Sequence, residues 1–331
     1  MQQPQHILIR LPNWLGDMVM STALVKAVAA QYPAARIDLI AKKGIDFLLD
    51  YFPLHGERYI FSKETSKGLT GTWRFGKAIR AQQQYDLFIC LPDSFSSAVM
   101  GKAIGATTSI GYKKELRSLL FTHTYHKKKQ LHRVEQYVDL LQQYTGNDAG
   151  LPVVELHAGD LPKQQQLIIN INSEAESRRL PLTKAVSIIN TIRRQIREEI
   201  ILVGSPKEKP FVDDVFSQLS DTTGIRNVSG HTSLPELVRL FGSVSTVLTT
   251  DSGPAHVANA LGAHTIVLFG AGNEKNTAPY NDGNRQIIRL GQLPCEPCVS
   301  NTCKIYGTPE CLLRLDEQYI AGFVKQALQR S

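Results

Sequence analysis

Residues 249–256, Thr249-Thr250-Asp251-Ser252-Gly253-Pro254-Ala255-His256, concentrate the side chains best suited to gripping a charged ligand. They follow the apolar pair Val247-Leu248 and open into a helical pattern. Pro254 suits the first helical position, where a missing N–H costs nothing and φ is already set. His256 falls within the first turn, so Asp251, Ser252 and His256 can point at one spot, and Gly253 lets a ligand approach the backbone. Free N–H groups and the positive end of a helix dipole make such a turn an anion site, and a diphosphate is its natural ligand. The competing explanation is an ordinary capped strand-to-helix turn that binds nothing.

A second turn of the same kind lies near the start. His6–Arg10 reads as a strand, residues 11–17 as a loop, and Met18–Ala30 as a helix with Val19, Leu24, Ala27 and Val28 spaced for burial. Asp17 then stands at a helix entrance, beyond the carboxyl end of a strand, where open α/β sheets bind their ligands. A carboxylate there can accept a proton from an attacking hydroxyl, or it can simply cap the helix.

The elements that must hold these residues alternate. Strands are expected at 6–10, 36–40, 86–91 and 107–112, and again at 167–171, 199–203, 246–250, 265–270 and 286–290. Helices are expected between them, at 94–104, 132–145, 181–194, 206–219 and 316–329. Such alternation predicts parallel sheets covered by helices on both faces. A polar, glycine-bearing stretch around 145–166 separates two such series. The expected fold is therefore α/β, with two doubly wound, Rossmann-like domains, residues 1–158 and 159–331. No G-x-G-x-x-G follows an expected strand and no G-x-x-x-x-G-K-[ST] occurs, which argues against dinucleotide enzymes and P-loop NTPases.

The 331 residues carry a net charge of +7, unevenly. Residues 1–158 hold 19 Lys and Arg against 13 Asp and Glu, and residues 159–331 hold 18 against 17. Much of the excess falls in Lys113, Lys114, Arg117, Lys127, Lys128, Lys129 and Arg133, with His123, His126 and His132 among them. A face of this kind wants a polyanion such as nucleic acid, an anionic membrane or a phosphorylated glycolipid, unless it is only a solvated surface. No apolar run reaches the length of a membrane span, and no signal peptide is recognisable, so a cytoplasmic protein is expected.

The motifs resemble glycosyltransferase family 9, the ADP-heptose:lipopolysaccharide heptosyltransferases, along nearly the whole chain. The resemblance is closest to the heptosyltransferase II type. It is carried by LPNWLGDMVMSTALVKAVAAQYP, LPDSFSSAVMGKAIGATTSIGYKKELRSLLFT and DSGPAHVANALG with the cysteine-rich stretch after it. It implies the GT-B architecture, with the two domains facing a central cleft, residues 1–158 binding the acceptor and residues 159–331 the nucleotide sugar, and an inverting, metal-independent transfer of L-glycero-D-manno-heptose from ADP-heptose to the lipopolysaccharide inner core. The family's catalytic aspartate falls on Asp17, as general base. Thr250, Asp251, Ser252, Gly253 and His256 become donor-binding residues.

Two further loops join them through the resemblance. In the family, the loop that here contains Ser173 and Arg178 carries K-x-W-P or K-R-W-P. This chain has Arg178-Arg179-Leu180-Pro181, so arginine replaces lysine and leucine replaces tryptophan. Arginine can still bind phosphate, and bidentately. Glu208 matches an acidic, ribose-binding position, and is also explained as a first-turn Glu favoured by the helix dipole. Asn13, Lys113, Lys114 and Arg117 are the expected contacts to a lipid A–core oligosaccharide acceptor, with peripheral attachment to the inner membrane surface and no nucleic acid.

Cys295, Cys298, Cys303 and Cys311 cluster near the end. Their irregular spacing favours reduced thiols over a structural metal site, and no cofactor is expected. Competing functions are another nucleotide-sugar enzyme on this fold, such as a 2-epimerase, or a nucleotide-binding relative without catalysis.

Overall fold

The computed structural model describes residues 3–53, 56–150 and 152–329. They form two compact units, Met1–His157 and Ala158–Ser331. In the first unit the strands are β1 (His6–Arg10), β2 (Arg36–Lys42), β3 (Arg58–Phe61), β4 (Leu87–Cys90), β5 (Thr108–Tyr112) and β6 (His123–Tyr125). They make one parallel sheet in the order β3-β2-β1-β4-β5-β6. In the second unit the strands are β7 (Gln164–Asn170), β8 (Ile200–Leu202), β9 (Ile225–Asn227), β10 (Val244–Thr250), β11 (His264–Phe269) and β12 (Arg285–Arg289). Their order, β12-β11-β10-β7-β8-β9, is the same topology counted from the other edge.

This winding has a physical consequence. The chain reverses direction across the sheet between β1 and β4, and again between β7 and β10, so the loops leaving those strands splay apart and open a crevice. Asp17 follows β1, and Asp251 follows β10. Both residues singled out for chemistry therefore stand at switch points.

The central strands are buried on both faces, which is why they read as continuous apolar runs. Ile7, Leu8 and Ile9 are fully buried, as are Leu167, Ile168, Val247, Ile266 and Val267. In a large aliphatic cluster of the second unit, Ile188, Ile192, Ile320 and Val324, from the helices Leu182–Gln195 and Glu317–Gln329, pack on Leu167, Ile169 and Leu248. Leu180, standing where the family pattern has tryptophan, is buried in that cluster.

Three strands escaped the sequence reading, β3 (RYIF), β6 (HTY) and β9 (IRN). All three are edge strands. An edge keeps one side wet, so its residues need not form the apolar run that marks a central strand. The helix expected at Met18–Ala30 starts earlier and is broken in two, Leu15–Met20 and Thr22–Gln31. The break has a local cause: the Ser21 and Thr22 hydroxyls donate back to the Met18 and Val19 carbonyls, at 2.6 and 2.8 Å, in competition with the backbone ladder. The helix expected at 206–219 is shorter, Lys209–Ser217, because Glu208 ties up the turn before it.

Candidate active site

At the first switch point, Asp17 lies in the first turn of the helix Leu15–Met20, whose N-cap position is taken by Trp14. Capping therefore does not explain Asp17. Its side chain retains 22% of its full exposure and faces Arg133 Nη1 at 4.0 Å. Burial lifts its carboxyl above the ordinary aspartate range. Arg133, a hydrogen bond from Tyr137 and the charge of Lys127 pull the other way, and Asp93 adds to the rise. A carboxylate poised in this way has the character of a general base.

Asp93, Lys127, Arg133 and Tyr137 were not singled out by sequence as a group. Asp93 leaves β4, across the switch point from β1, and pairs with Lys127 and, at 3.6 Å, with Arg117. Lys127 also lies over the Tyr112 ring. The signal was present in Leu91-Pro92-Asp93 directly after an apolar strand, but only the sheet order shows that this loop faces the one carrying Asp17. Asn13 is held from below: the buried Arg10 guanidinium donates to its Oδ1 at 2.6 Å, and to the Leu11 and Ile40 carbonyls. Burial lowers the Arg10 pKa to about 10.

The expected basic face is smaller than the charge run suggested. Arg117 is only 2% exposed. Its guanidinium donates to the Tyr112 and Pro92 carbonyls at 2.8 and 2.9 Å and stacks on Phe121, so it fastens loops together and does not present a surface charge. His132 is likewise buried and caps the helix Arg133–Thr145 in a capping box with Glu135. Lys127 and Lys128 are paired with Asp93 and Asp139. Lys113, Lys114 and Lys129 remain exposed, and none has an ion-pair partner among the described residues.

At the second switch point the helix Gly253–Ala260 begins one residue before Pro254. Ser252 occupies the N-cap position, yet its hydroxyl makes no capping bond. It donates to the Thr250 carbonyl at 3.2 Å and accepts from Asn170 Nδ2 at 3.0 Å. The first turn is thus left uncapped by side chains, as an anion site requires. His256 is buried in this helix.

Asp251 is buried and pairs with Arg178 Nη1 at 3.3 Å. Burial lifts its carboxyl above the usual range, while Arg178 and Arg289 pull it down and Glu274 adds to the rise. A methyl at Gly272 would lie 1.8 Å from the Asp251 carboxylate, so only glycine leaves room for it. Thr250 is fully buried, and its hydroxyl donates to the Asn172 carbonyl at 2.5 Å. It joins the ends of β7 and β10. Ser173 is partly exposed beside this junction.

Arg178 ends a short turn, Glu176–Arg178, held from outside. The Ser177 N–H donates to the Asn301 carbonyl at 3.1 Å and its hydroxyl to the Ser300 carbonyl. The cysteine-rich segment thus braces the Arg178 turn. Arg179 instead stacks on Phe211, which separates the two adjacent arginines by role. Glu208 accepts from the Ser205 N–H at 2.8 Å. It stands at the N-cap position of its helix, and its carboxylate shapes the loop after β8.

All five cysteines are free thiols. Cys295, Cys298, Cys303 and Cys311 line one small cavity together with Glu296 and Glu310. Burial, with nearby Glu296, pushes the Cys311 thiol up to about 11. Among the described residues no group of three or more His, Cys, Asp or Glu is placed to hold a metal ion, and no helix is long and apolar enough to cross a membrane.

Comparison with known proteins places this geometry. The chain is 29% identical over 310 residues to lipooligosaccharide heptosyltransferase 2 of Haemophilus influenzae, covering 86% of this chain and 88% of that one. It is 27% identical to lipopolysaccharide heptosyltransferase 2 of Escherichia coli, with the same coverage. The solved E. coli ADP-heptose lps heptosyltransferase II shares its fold, with a TM-score of 0.79 at 24% identity over 98% of this chain and 99% of that chain. A family 9 glycosyl transferase of Veillonella parvula gives a TM-score of 0.84 at 18% identity, covering 99% and 98%. The two doubly wound sheets are those of the GT-B heptosyltransferases. Residues 72–308 match glycosyltransferase family 9 (heptosyltransferase), and the chain belongs to that family.

Proposed function

We propose that this enzyme moves heptose from ADP-L-glycero-D-manno-heptose to the inner core of a lipid A–core acceptor, with inversion and without a metal. The observation that carries the reading is Asp17: a carboxylate at a switch point, not used as a cap, held by Arg133 and Tyr137, with its proton affinity raised. In the proposed step the acceptor hydroxyl gives its proton to Asp17 as its oxygen bonds to the anomeric carbon. The bond from that carbon to ADP breaks on the opposite side. The charge left on the diphosphate falls to the N-terminal turn of Gly253–Ala260, His256 and Arg178. Asp251 acts through Arg178, because a second anion facing the diphosphate would repel it. A solved relative of this fold is E. coli heptosyltransferase WaaC with ADP, at a TM-score of 0.78 and 15% identity, which supports ADP as the nucleotide.

Calorimetry tests the donor. ADP is expected to bind EDTA-treated protein, and to bind it more tightly than UDP, GDP or CMP, with substoichiometric zinc and iron in anaerobically purified protein. Preference for UDP would favour another nucleotide-sugar activity, and dependence on a stoichiometric metal at the cysteines would overturn the metal-free reading.

The acceptor reading places Asn13, Lys113 and Lys114 toward a phosphorylated, carboxylate-rich oligosaccharide at the inner membrane surface of the cytoplasm, with no nucleic acid involved. Arg117 drops out, since its charge is spent inside. Replacing Lys113 and Lys114 together by alanine is expected to raise acceptor KM severalfold, with an effect that shrinks as salt rises, and to leave ADP binding unchanged. An unmoved KM would make the pair a solvated surface.

A further inference from the structure

Leu116 and Leu119 are the most exposed large hydrophobic residues among those described, at 72% and 80%. Single exposed leucines are ordinary; this pair is not single. Both belong to the 3₁₀ helix Glu115–Leu120, and in a 3₁₀ helix residues three apart eclipse one another. They therefore project side by side. Between and after them the turn is anchored inward: Arg117 is buried on the Tyr112 and Pro92 carbonyls, Leu120 packs on the core and Phe121 is part of it. The Lys114 N–H donates to Ser118 Oγ at 3.0 Å. Two apolar side chains are thus held out on a firmly anchored turn, immediately after two exposed lysines without ion-pair partners among the described residues. Glu115 is the only carboxylate between Lys113 and Thr122.

Leucines beside lysines suit the boundary between lipid headgroups and acyl chains, where the apolar tips enter and the cations meet anionic headgroups. A second copy of the chain fits less well. Residues 1–158 carry six more cations than carboxylates, and a twofold pairing through this turn would bring the same lysines together. We propose that Leu116 and Leu119, with Lys113 and Lys114, form the tip by which the first unit docks on an anionic lipid surface. The proposal builds on the membrane contact in the functional reading and names its surface. Arg117 bonds the docking turn to Pro92, next to Asp93, so docking would hold the segment behind the catalytic network as well.

Vesicle sedimentation of the full chain tests it. Mixed phosphatidylcholine–phosphatidylglycerol vesicles are expected to take up the protein, phosphatidylcholine vesicles to take up much less, and salt to weaken the binding. The double variant Leu116→Ser/Leu119→Ser should lose about tenfold or more of its partition, with its melting temperature and ADP affinity unchanged. Unchanged partition in that variant overturns the proposal, as does a solution dimer of the wild type that the variant dissociates. Should the double variant fold poorly, Leu119→Trp gives a second reading: its emission is expected to shift to the blue on the anionic vesicles, and no shift overturns the proposal. Failure of ADP to bind would sink the donor assignment while leaving the vesicle result to stand or fall alone.

Discussion

Asp17→Asn is expected to lower kcat by about a hundredfold or more, the scale of losing a general base, while ADP affinity stays near that of the parent. Asparagine keeps the shape but accepts no proton. The pH profile should show the same group. Burial raises the Asp17 pKa, so the rate should fall as pH drops through a midpoint above the ordinary aspartate value. Arg133 pulls that pKa down, so Arg133→Gln should move the acid limb to higher pH. Stability gives an independent sign. With its folded pKa raised, Asp17 gives up its proton more readily in the unfolded chain, so folding stability falls as pH rises from the unfolded pKa through the folded one. An asparagine side chain carries no such penalty, and the variant should melt no lower than the parent at neutral pH. Near-normal turnover in Asp17→Asn would remove Asp17 from the mechanism.

Arg178→Ala and His256→Ala are each expected to weaken ADP binding by about 1–3 kcal/mol, the scale of a hydrogen bond to a charged group. AMP, lacking the second phosphate, should lose less. A double-mutant cycle should show coupling between the two positions with ADP as ligand. Arg178→Ala should also lower the melting temperature, because it leaves the Asp251 carboxylate buried with its nearest cation gone. Arg179→Ala is the control: its guanidinium lies over Phe211, so ADP affinity should hardly change. If Arg179→Ala and not Arg178→Ala weakens ADP, the turn is used the other way round.

Short-range pattern carried much of this protein. The apolar runs of β1, β4, β7, β10 and β11 mark central parallel strands because burial on both faces demands them. The small-residue turn before Pro254 marks a helix N-terminus because its residues suit that backbone. The capping box Ser233–Glu236 is equally local, since both of its bonds lie within four consecutive residues. Motif likeness led to the family that residues 72–308 match.

What depends on distant partners was decided only in three dimensions. Arg117 looked like one more surface cation among lysines, and folding buried it against carbonyls about five and twenty-five positions away. Arg178 and Arg179 are indistinguishable as neighbours in sequence, and they part company because one meets Asp251 and the other Phe211. Asp93 joined the Asp17 network only through sheet order, which sets the loop after β4 beside the loop after β1. A side chain's local type determines what it can donate, accept or carry; its charge state and its partner follow from burial and from which loops the fold brings together.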